Sequence, residues 1–297
     1  MKLINQSAEL WKQGCTIKDI YDHIARCTRV CYQSTPLKYD ENGKDFVERT
    51  IMKNKHYAML EHGSVYLTIP REAEFDEDVL TITNNPYTKY NIYNDKIFVT
   101  TNLRVLHENN LMNMFCYLSK DNKLHPKRVT ISFITNIGVS REFNRHRCHS
   151  IAEESTRFCN YSKDKFGNEL TFIKPDEMDI VRVPFANPVS DDHVKFQGYP
   201  MSYEVHIKDV VAQDFIFYLR GVETLYLEMI EKGCSAQLAR RILPLCTKTQ
   251  VIHTAFLDDW KTFFDMRMRG TTGKPHPDAE SAARLAYEEM CNAGIVI

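Results

Sequence analysis

Helical and strand patterns alternate along the chain and predict a mixed α/β (α+β) fold. Residues 16–33 and 202–232 carry apolar side chains at three- and four-residue spacing, as amphipathic helices do. Residues 65–69 and 129–134 alternate in the manner of strands. There are only 11 glycines and no GxGxxG run, which argues against a standard dinucleotide-binding sheet.

In the first helix Ile17, Ile20, Ile24, Cys27 and Cys31 form the apolar stripe, and Thr16 caps with Asp19 three residues on. A second helix is predicted over 45–55, with Phe46, Val47, Ile51 and Met52 facing inward. His56-Tyr57-Ala58-Met59-Leu60-Glu61-His62 then forms a polar helix end feeding the strand at 65–69. It lacks the HExxH spacing and a third ligand, so no metal site is expected. Residues 70–96 are acidic and rich in Asn and Tyr, and a strand follows at 97–100. A helix is predicted over 101–119, carrying Leu103, Leu106, Leu111, Met114 and Leu118. The strand at 129–134 leads through Gly138 into a helix predicted over 139–148.

Residues 163–200, with Pro175, Pro184, Pro188 and Pro200, are expected to be irregular. The longest helix, 202–232, presents Ile207, Val211, Phe215, Tyr218, Val222, Leu225 and Met229 as core or subunit interface, and Gly233 stops it. A strand over 247–256 precedes a helix over 257–269 that carries Trp260, Phe263, Phe264 and Met266. The last helix follows a short GTTGKP stretch.

The length suffices for a substantial core, and 43% hydrophobic with 26% charged residues is ordinary for a soluble globular protein. A formal net charge of −1 argues against extended nucleic-acid binding but leaves room for a local basic pocket. The nine cysteines are scattered without a CxxC pair, so a reduced cytoplasmic setting is expected rather than a disulfide framework. The stretch MKLINQSAELWKQG has no apolar h-region, and no apolar run is long enough to span a bilayer.

The segment 140–162, SREFNRHRCHSIAEESTRFCNYS, gathers Arg141, Arg145, His146, Arg147, His149 and Arg157 beside Glu142, Glu153 and Glu154. Ser150, Ser155 and Thr156 add hydroxyls. A helix over 139–148 would place Arg141, Arg145 and His149 on one face. Forked guanidiniums beside hydroxyls suit an anion such as phosphate. An exposed helix of Arg–Glu pairs is the simpler alternative for such a charged run.

The order of residues favours the anion site. Arg145-His146-Arg147, seven residues and then Ser155 reproduce RHR-x7-S, and RHRCHSIAEESTRF follows RHRxxSxNExSxRY. Ser150, Glu153, Ser155 and Arg157 fall in register, whereas Ala152 replaces Asn and Phe158 replaces Tyr. In this the chain resembles the flavin-dependent thymidylate synthases. Two further blocks extend the resemblance. His56 to His62 is similar to a GHxSxLEH stretch, with Ala58 where a flavin-touching Ser/Thr is usual. Gln237 to Pro244 is similar to Q-x-AR-x-x-LP, and Met266-Arg267 and then His276 and Glu280 follow in matching order. Phe256 and Thr262 stand where flavin-contacting asparagines are usual.

The resemblance implies a single domain over 1–297 in which a mixed sheet packs with long helices, with insertions at about 71–121 and 163–200. It implies reductive methylation of dUMP to dTMP, with methylenetetrahydrofolate and NADPH as co-substrates and FAD as cofactor. It assigns Glu142, Arg145, Glu154, Ser155, Thr156, Arg157, Arg240 and Arg267 to the nucleotide. Arg267 is also the catalytic cation that polarises the uracil ring. His56, Arg145, His146, Arg147, Glu153 and His276 fall to the flavin. The implied assembly is a homotetramer with sites shared between chains. No enzyme nucleophile is needed, and Cys148, at a variable motif position, reads as an incidental thiol. The departures leave two alternatives: flavin-dependent C5 modification of another pyrimidine nucleotide, or a non-catalytic nucleotide-binding homologue.

Overall fold

The computed structural model describes residues 1–34, 42–198 and 201–297 and shows a mixed α/β protein of helices and several sheets. In chain order the strands are β1 (Lys2–Ile4), β2 (Ser7–Trp11), β3 (Ser64–Pro70), β4 (Lys89–Tyr93), β5 (Lys96–Asn102) and β6 (Arg128–Asn136). They continue as β7 (Ser150–Glu153), β8 (Thr171–Ile173), β9 (Ile180–Pro184), β10 (His193–Phe196), β11 (Met201–His206) and β12 (Lys248–Phe256). The helices are α1 (Ile17–Tyr32), α2 (Gly43–Val47), α3 (Glu77–Thr83), α4 (Leu103–Glu108) and α5 (Ile137–Phe143). After them come α6 (Val210–Glu231), α7 (Ala236–Ala239), α8 (Leu257–Arg267) and α9 (Pro277–Asn292).

Two compact units divide the chain. The first comprises Met1–Ser7, Ile134–Glu142 and Ser155–Thr249, and the second Ala8–Phe133, Phe143–Glu154 and Gln250–Ile297.

In the first unit β1 pairs in parallel with β8, and β11 lies between β10 and β9 in an antiparallel sheet. Leu3, Phe172, Val205, Ile216, Leu219 and Tyr226 belong to its core. The Leu3 amide donates to the Tyr203 hydroxyl at 2.7 Å. Here the sequence reading needs three corrections. Residues 163–200 are not irregular, because β8, β9 and β10 lie among them (Pro200 falls outside the described residues). Residues 201–206 are strand rather than the first turns of the long helix, since Tyr203 and Val205 alternate inward and pair with β9 and β10. The buried face of α6 is Ala212, Ile216, Leu219, Val222 and Tyr226, while Val211, Tyr218 and Leu225 of the predicted stripe are exposed. With apolar residues nearly all round α6, periodicity alone could not select the face. Asp209 caps α6 by accepting from the Ala212 amide, and Gly233, at φ +91°, follows its end as expected.

In the second unit β5 lies between β3 and β4 in one sheet. Most of a second sheet, ordered β2-β6-β12-β7, also belongs here. Helix α1 has the predicted capping box between Thr16 and Asp19, and Ile20, Ile24 and Cys27 are buried, although Ile17 is exposed. The predicted helix over 45–55 is the short α2 continued by a π-helical turn at Glu48–Met52. The one over 101–119 is α4 followed by a 3-10 segment at Met112–Tyr117. Strand β6 was expected to alternate between core and solvent, yet Val129 to Phe133 are all buried. Its polar positions find internal partners instead: Thr130 shares hydrogen bonds with His23 and Thr254, and Ser132 accepts from Gln250.

The helix expected over 139–148 ends at Phe143. His146 N–H bonds the Phe143 carbonyl and His149 N–H the His146 carbonyl, both at 3.0 Å, so the chain turns twice before β7. Ser150 must then pair with Thr254 and Ile151 with His253. Sheet registration overrides the helical spacing, and Arg141, Arg145 and His149 share no helical face.

Candidate active site

The Arg145-His146-Arg147 turn belongs to the second unit. Arg145, Arg147 and Cys148 are exposed, His146 is half-buried and His149 is buried. Aromatic packing fixes this profile. Phe143, fully buried, lies 5.1 Å from Phe133 and 4.8 Å from Phe263 between ring centroids. His146 sits 4.9 Å from Phe263, and His149 sits 4.7 Å from Trp260. The buried rings act as a last that shapes the turn and leaves its guanidiniums outward.

Arg267, the last residue of α8, donates its Nε–H to His146 Nε2 at 3.1 Å. Burial, and then the Arg267 charge, hold the His146 pKa down at about 4, so at neutral pH its imidazole is neutral and accepts this bond. The catalytic candidate and the middle of the RHR motif thus meet although 121 residues separate them. On the same turn Asn144 donates to Glu153 Oε2 at 3.1 Å, which ties the turn to β7. The buried Glu154 donates its backbone N–H to the Gln250 carbonyl at 2.8 Å.

Behind the turn lies a row of buried histidines that sequence reasoning missed. His149 and His253 face each other Nδ1 to Nδ1 at 3.1 Å. His62 Nδ1 lies 2.9 Å from Thr254 Oγ1, Thr254 2.7 Å from Thr130 Oγ1, and Thr130 3.0 Å from His23 Nε2. Burial lowers His23 to about 4, His62 to about 3 and His149 to about 3, and pushes His253 well down. The only sequence signal was the recurrence of polar residues in strands that otherwise read as core.

His56 is exposed and lines a cavity of about 440 Å³ together with Lys55, Tyr57, Ala58, Met59 and Arg104. Arg145, His146 and Arg147 are not part of that lining. Arg104 comes from a stretch to which the sequence assigned no role, and it bonds Glu61 at 2.6 Å and Glu108 at 2.9 Å. The lining offers the cations Lys55 and Arg104, the phenols Tyr32 and Tyr57, and the hydroxyls of Thr28 and Thr50, a set suited to an anionic aromatic ligand. The volume suits part of a dinucleotide rather than all of it. Ala58 contributes no hydroxyl there.

In the first unit, Ser155, Thr156 and Arg157 form a turn against Gln237 and Arg240. Arg157 Nε donates to Gln237 Oε1 at 2.8 Å, and an Arg240 terminal nitrogen donates to Thr156 Oγ1 at 3.3 Å. Both arginines are exposed. This is a preformed pair of forks beside two hydroxyls, the arrangement an anionic phosphate requires. Glu142 belongs to the same unit and is half-buried. His276, in the second unit, is exposed and accepts from the Asp278 amide at 3.2 Å as the N-cap of α9. Phe256 is buried, with Lys89 4.7 Å and Arg128 5.5 Å from its ring centroid, and Thr262 bonds the Asp258 carbonyl of its own helix. Among the described residues no three His, Cys, Asp or Glu side chains are grouped to hold a metal, and no helix is long and apolar enough to cross a membrane.

Comparison with known proteins bears on the same segments. The chain is 23% identical over 161 residues to a probable flavin-dependent thymidylate synthase of Paramecium bursaria Chlorella virus 1. That alignment covers 54% of this chain and 65% of the viral protein, so it spans less than two thirds of that relative's length. Two solved structures of the UMP/dUMP methylase PolB from Streptomyces cacaoi, with 5-Br dUMP and 5-Br UMP bound, align over 99% of this chain. They are covered over 92% and 97% of their own chains, with TM-scores of 0.43 and identities of 15% and 14%. Residues 125–293 match the family described as Thymidylate synthase complementing protein, a span that holds the RHR turn, the Gln237–Arg240 segment, Arg267 and His276 but not His56. Well over half of the chain is matched, and it belongs to that family, the flavin-dependent thymidylate synthases.

Proposed function

We propose that this chain is a flavin-dependent thymidylate synthase, which methylates dUMP to dTMP with methylenetetrahydrofolate as carbon donor and NADPH as reductant. The observation that carries the reading is the hydrogen bond from Arg267 to His146, which joins two separate motif blocks in one turn-and-helix-end arrangement.

Roles follow from each residue's surroundings. Arg157 and Arg240, with Ser155 and Thr156, bind the nucleotide phosphate through charge-assisted hydrogen bonds. Glu142 and Glu154 complete the nucleotide set by accepting from its donor groups. Arg267 is held by the neutral His146 imidazole, and its guanidinium stabilises negative charge building on the uracil N3–C4 edge. His146 orients that guanidinium. Arg145 and Arg147 project outward as cations for the flavin pyrophosphate, and Glu153 steadies their turn through Asn144. The cavity at His56, with Lys55, Tyr57 and Arg104, fits part of FAD, and His276 remains its candidate at the head of α9. Bound FAD would supply the redox chemistry, while the protein binds, orients and excludes water.

We further propose one domain with two insertions, a homotetramer with shared sites, and a cytoplasmic location. The exposed Val210, Val211, Phe217 and Tyr218 of α6 support assembly, and cysteines held as thiols rather than disulfides among the described residues fit a reduced compartment. A second reading, C5 modification of another pyrimidine nucleotide, is favoured by Ala58, which leaves the His56 cavity without the expected hydroxyl. The deciding experiment is mass spectrometry of the product after incubation with FAD, NADPH, methylenetetrahydrofolate and either dUMP or UMP. A gain of one methyl group on dUMP supports the first reading, one on UMP alone supports the second, and unchanged nucleotides contradict both.

A further inference from the structure

A second cavity of about 470 Å³ lies wholly within the second unit, and none of the residues assigned to nucleotide or flavin lines it. Its walls include Trp11, Tyr66 and Leu257, with residues 293–296 along one side. Its charged lining is all cationic: Lys12, Lys127 and Arg128, with no aspartate or glutamate.

Arg128 is the unusual member. Its guanidinium donates to the Glu61 carbonyl at 3.0 Å, to Ser64 Oγ at 3.3 Å and to Ser150 Oγ at 3.2 Å, all neutral acceptors. Among the described residues no carboxylate lies within ion-pair distance of it. Glu61, whose charge reaches it, is bonded to Arg104 instead. Tyr66 and Asp259 also act on it. Burial lowers its pKa to about 10, which still leaves it charged at neutral pH. A half-buried guanidinium is costly without an anion beside it. Lys127 stands next to it in the lining, its ammonium held by the Asn122 side-chain oxygen at 2.9 Å and by the Asn122 carbonyl.

We propose that this cavity binds a small organic anion, with a carboxylate or phosphate on Arg128 and an apolar ring among Trp11, Tyr66 and Leu257. The cationic lining selects the charge, the apolar walls select the ring, and the volume excludes anything much larger than a mononucleotide. Three bonds to neutral groups hold the guanidinium in place before the ligand arrives, which lowers the ordering cost of binding.

The test is calorimetric titration of the full chain with benzoate, phenyl phosphate and benzyl alcohol, repeated on Arg128→Gln, Lys127→Gln and Arg240→Ala. With the Arg157–Arg240 site kept filled by dUMP, at least one anion should bind once per chain, with the alcohol weaker by about tenfold or more. Arg128→Gln should weaken the anion by about tenfold or more and Lys127→Gln by about threefold, with Arg240→Ala unchanged. The stronger anion identifies the head group. No binding by either anion, equal binding of the alcohol, or loss only in Arg240→Ala overturns the proposal. If Arg128→Gln does not fold, Lys127→Gln decides, and unchanged affinity there overturns it.

Discussion

Arg267 donates to an imidazole: its Nε–H meets His146 Nε2 at 3.1 Å, and that nitrogen carries no proton. The pairing orients the guanidinium. Replacing Arg267 by Ala should therefore abolish thymidylate formation while leaving flavin bound, as read by turnover and by the flavin absorbance of the same sample. The same variant should raise the His146 pKa, because one of the two causes that depress it is gone. Burial remains, so the value should stay below the ordinary imidazole range in an NMR titration. Retained turnover would remove Arg267 from the chemistry.

Arg157 and Arg240 are exposed and bond the neutral Gln237 and Thr156, so neither should matter much to stability. Each Ala variant should weaken dUMP by about tenfold or more, the scale of a lost charge-assisted contact, and shift the denaturation midpoint little. Titration calorimetry and urea unfolding on the same preparations check both halves. Unchanged dUMP affinity in both variants would move the phosphate elsewhere.

Acid should destabilise this fold from an early pH. His23, His62 and His149 stay neutral in the folded protein down to about 4, 3 and 3, whereas an unfolded imidazole takes a proton near 6.5. Below about 6.5 the unfolded chain binds more protons, so stability rises with pH through that window and falls as pH drops from 6.5 towards 4. Shifts of this size correspond to roughly 3–5 kcal/mol per fully expressed group. Urea midpoints at pH 7.5, 6 and 5 should decline steadily, and a flat profile would show that these imidazoles are not buried neutral.

Phe263 supports the turn physically, packed against Phe143, His146 and Trp260 at ring distances of 4.8, 4.9 and 5.2 Å. Phe263→Ala should cost about 3–5 kcal/mol in unfolding free energy. It should also raise the His146 pKa as water enters. Loss of stability without any change at His146 would show that the ring does not enforce the burial.

Much of this was legible in the residues. Thr16 and Asp19 announced the start of α1, Gly233 marked the end of α6, and the order of Arg145, His146, Arg147 and Ser155 named the family. What failed did so where tertiary pairing outranks local period. Residues 144–149 have helical spacing but must turn to deliver Ser150 to Thr254. Residues 201–206 could extend α6 but are claimed by β9 and β10. The buried histidines were illegible for a related reason: His62 at the end of a 3-10 segment looks the same in sequence whether it faces water or Thr254. Arg128 likewise looks like any strand-end cation until its partners are seen to be neutral.

The most direct test of the central claim is an absorbance spectrum of the purified chain with added FAD, before and after dUMP. A bound flavin band that shifts on dUMP addition is predicted, because the nucleotide and the flavin must share one site. No flavin uptake, or a band indifferent to dUMP, would contradict the synthase reading.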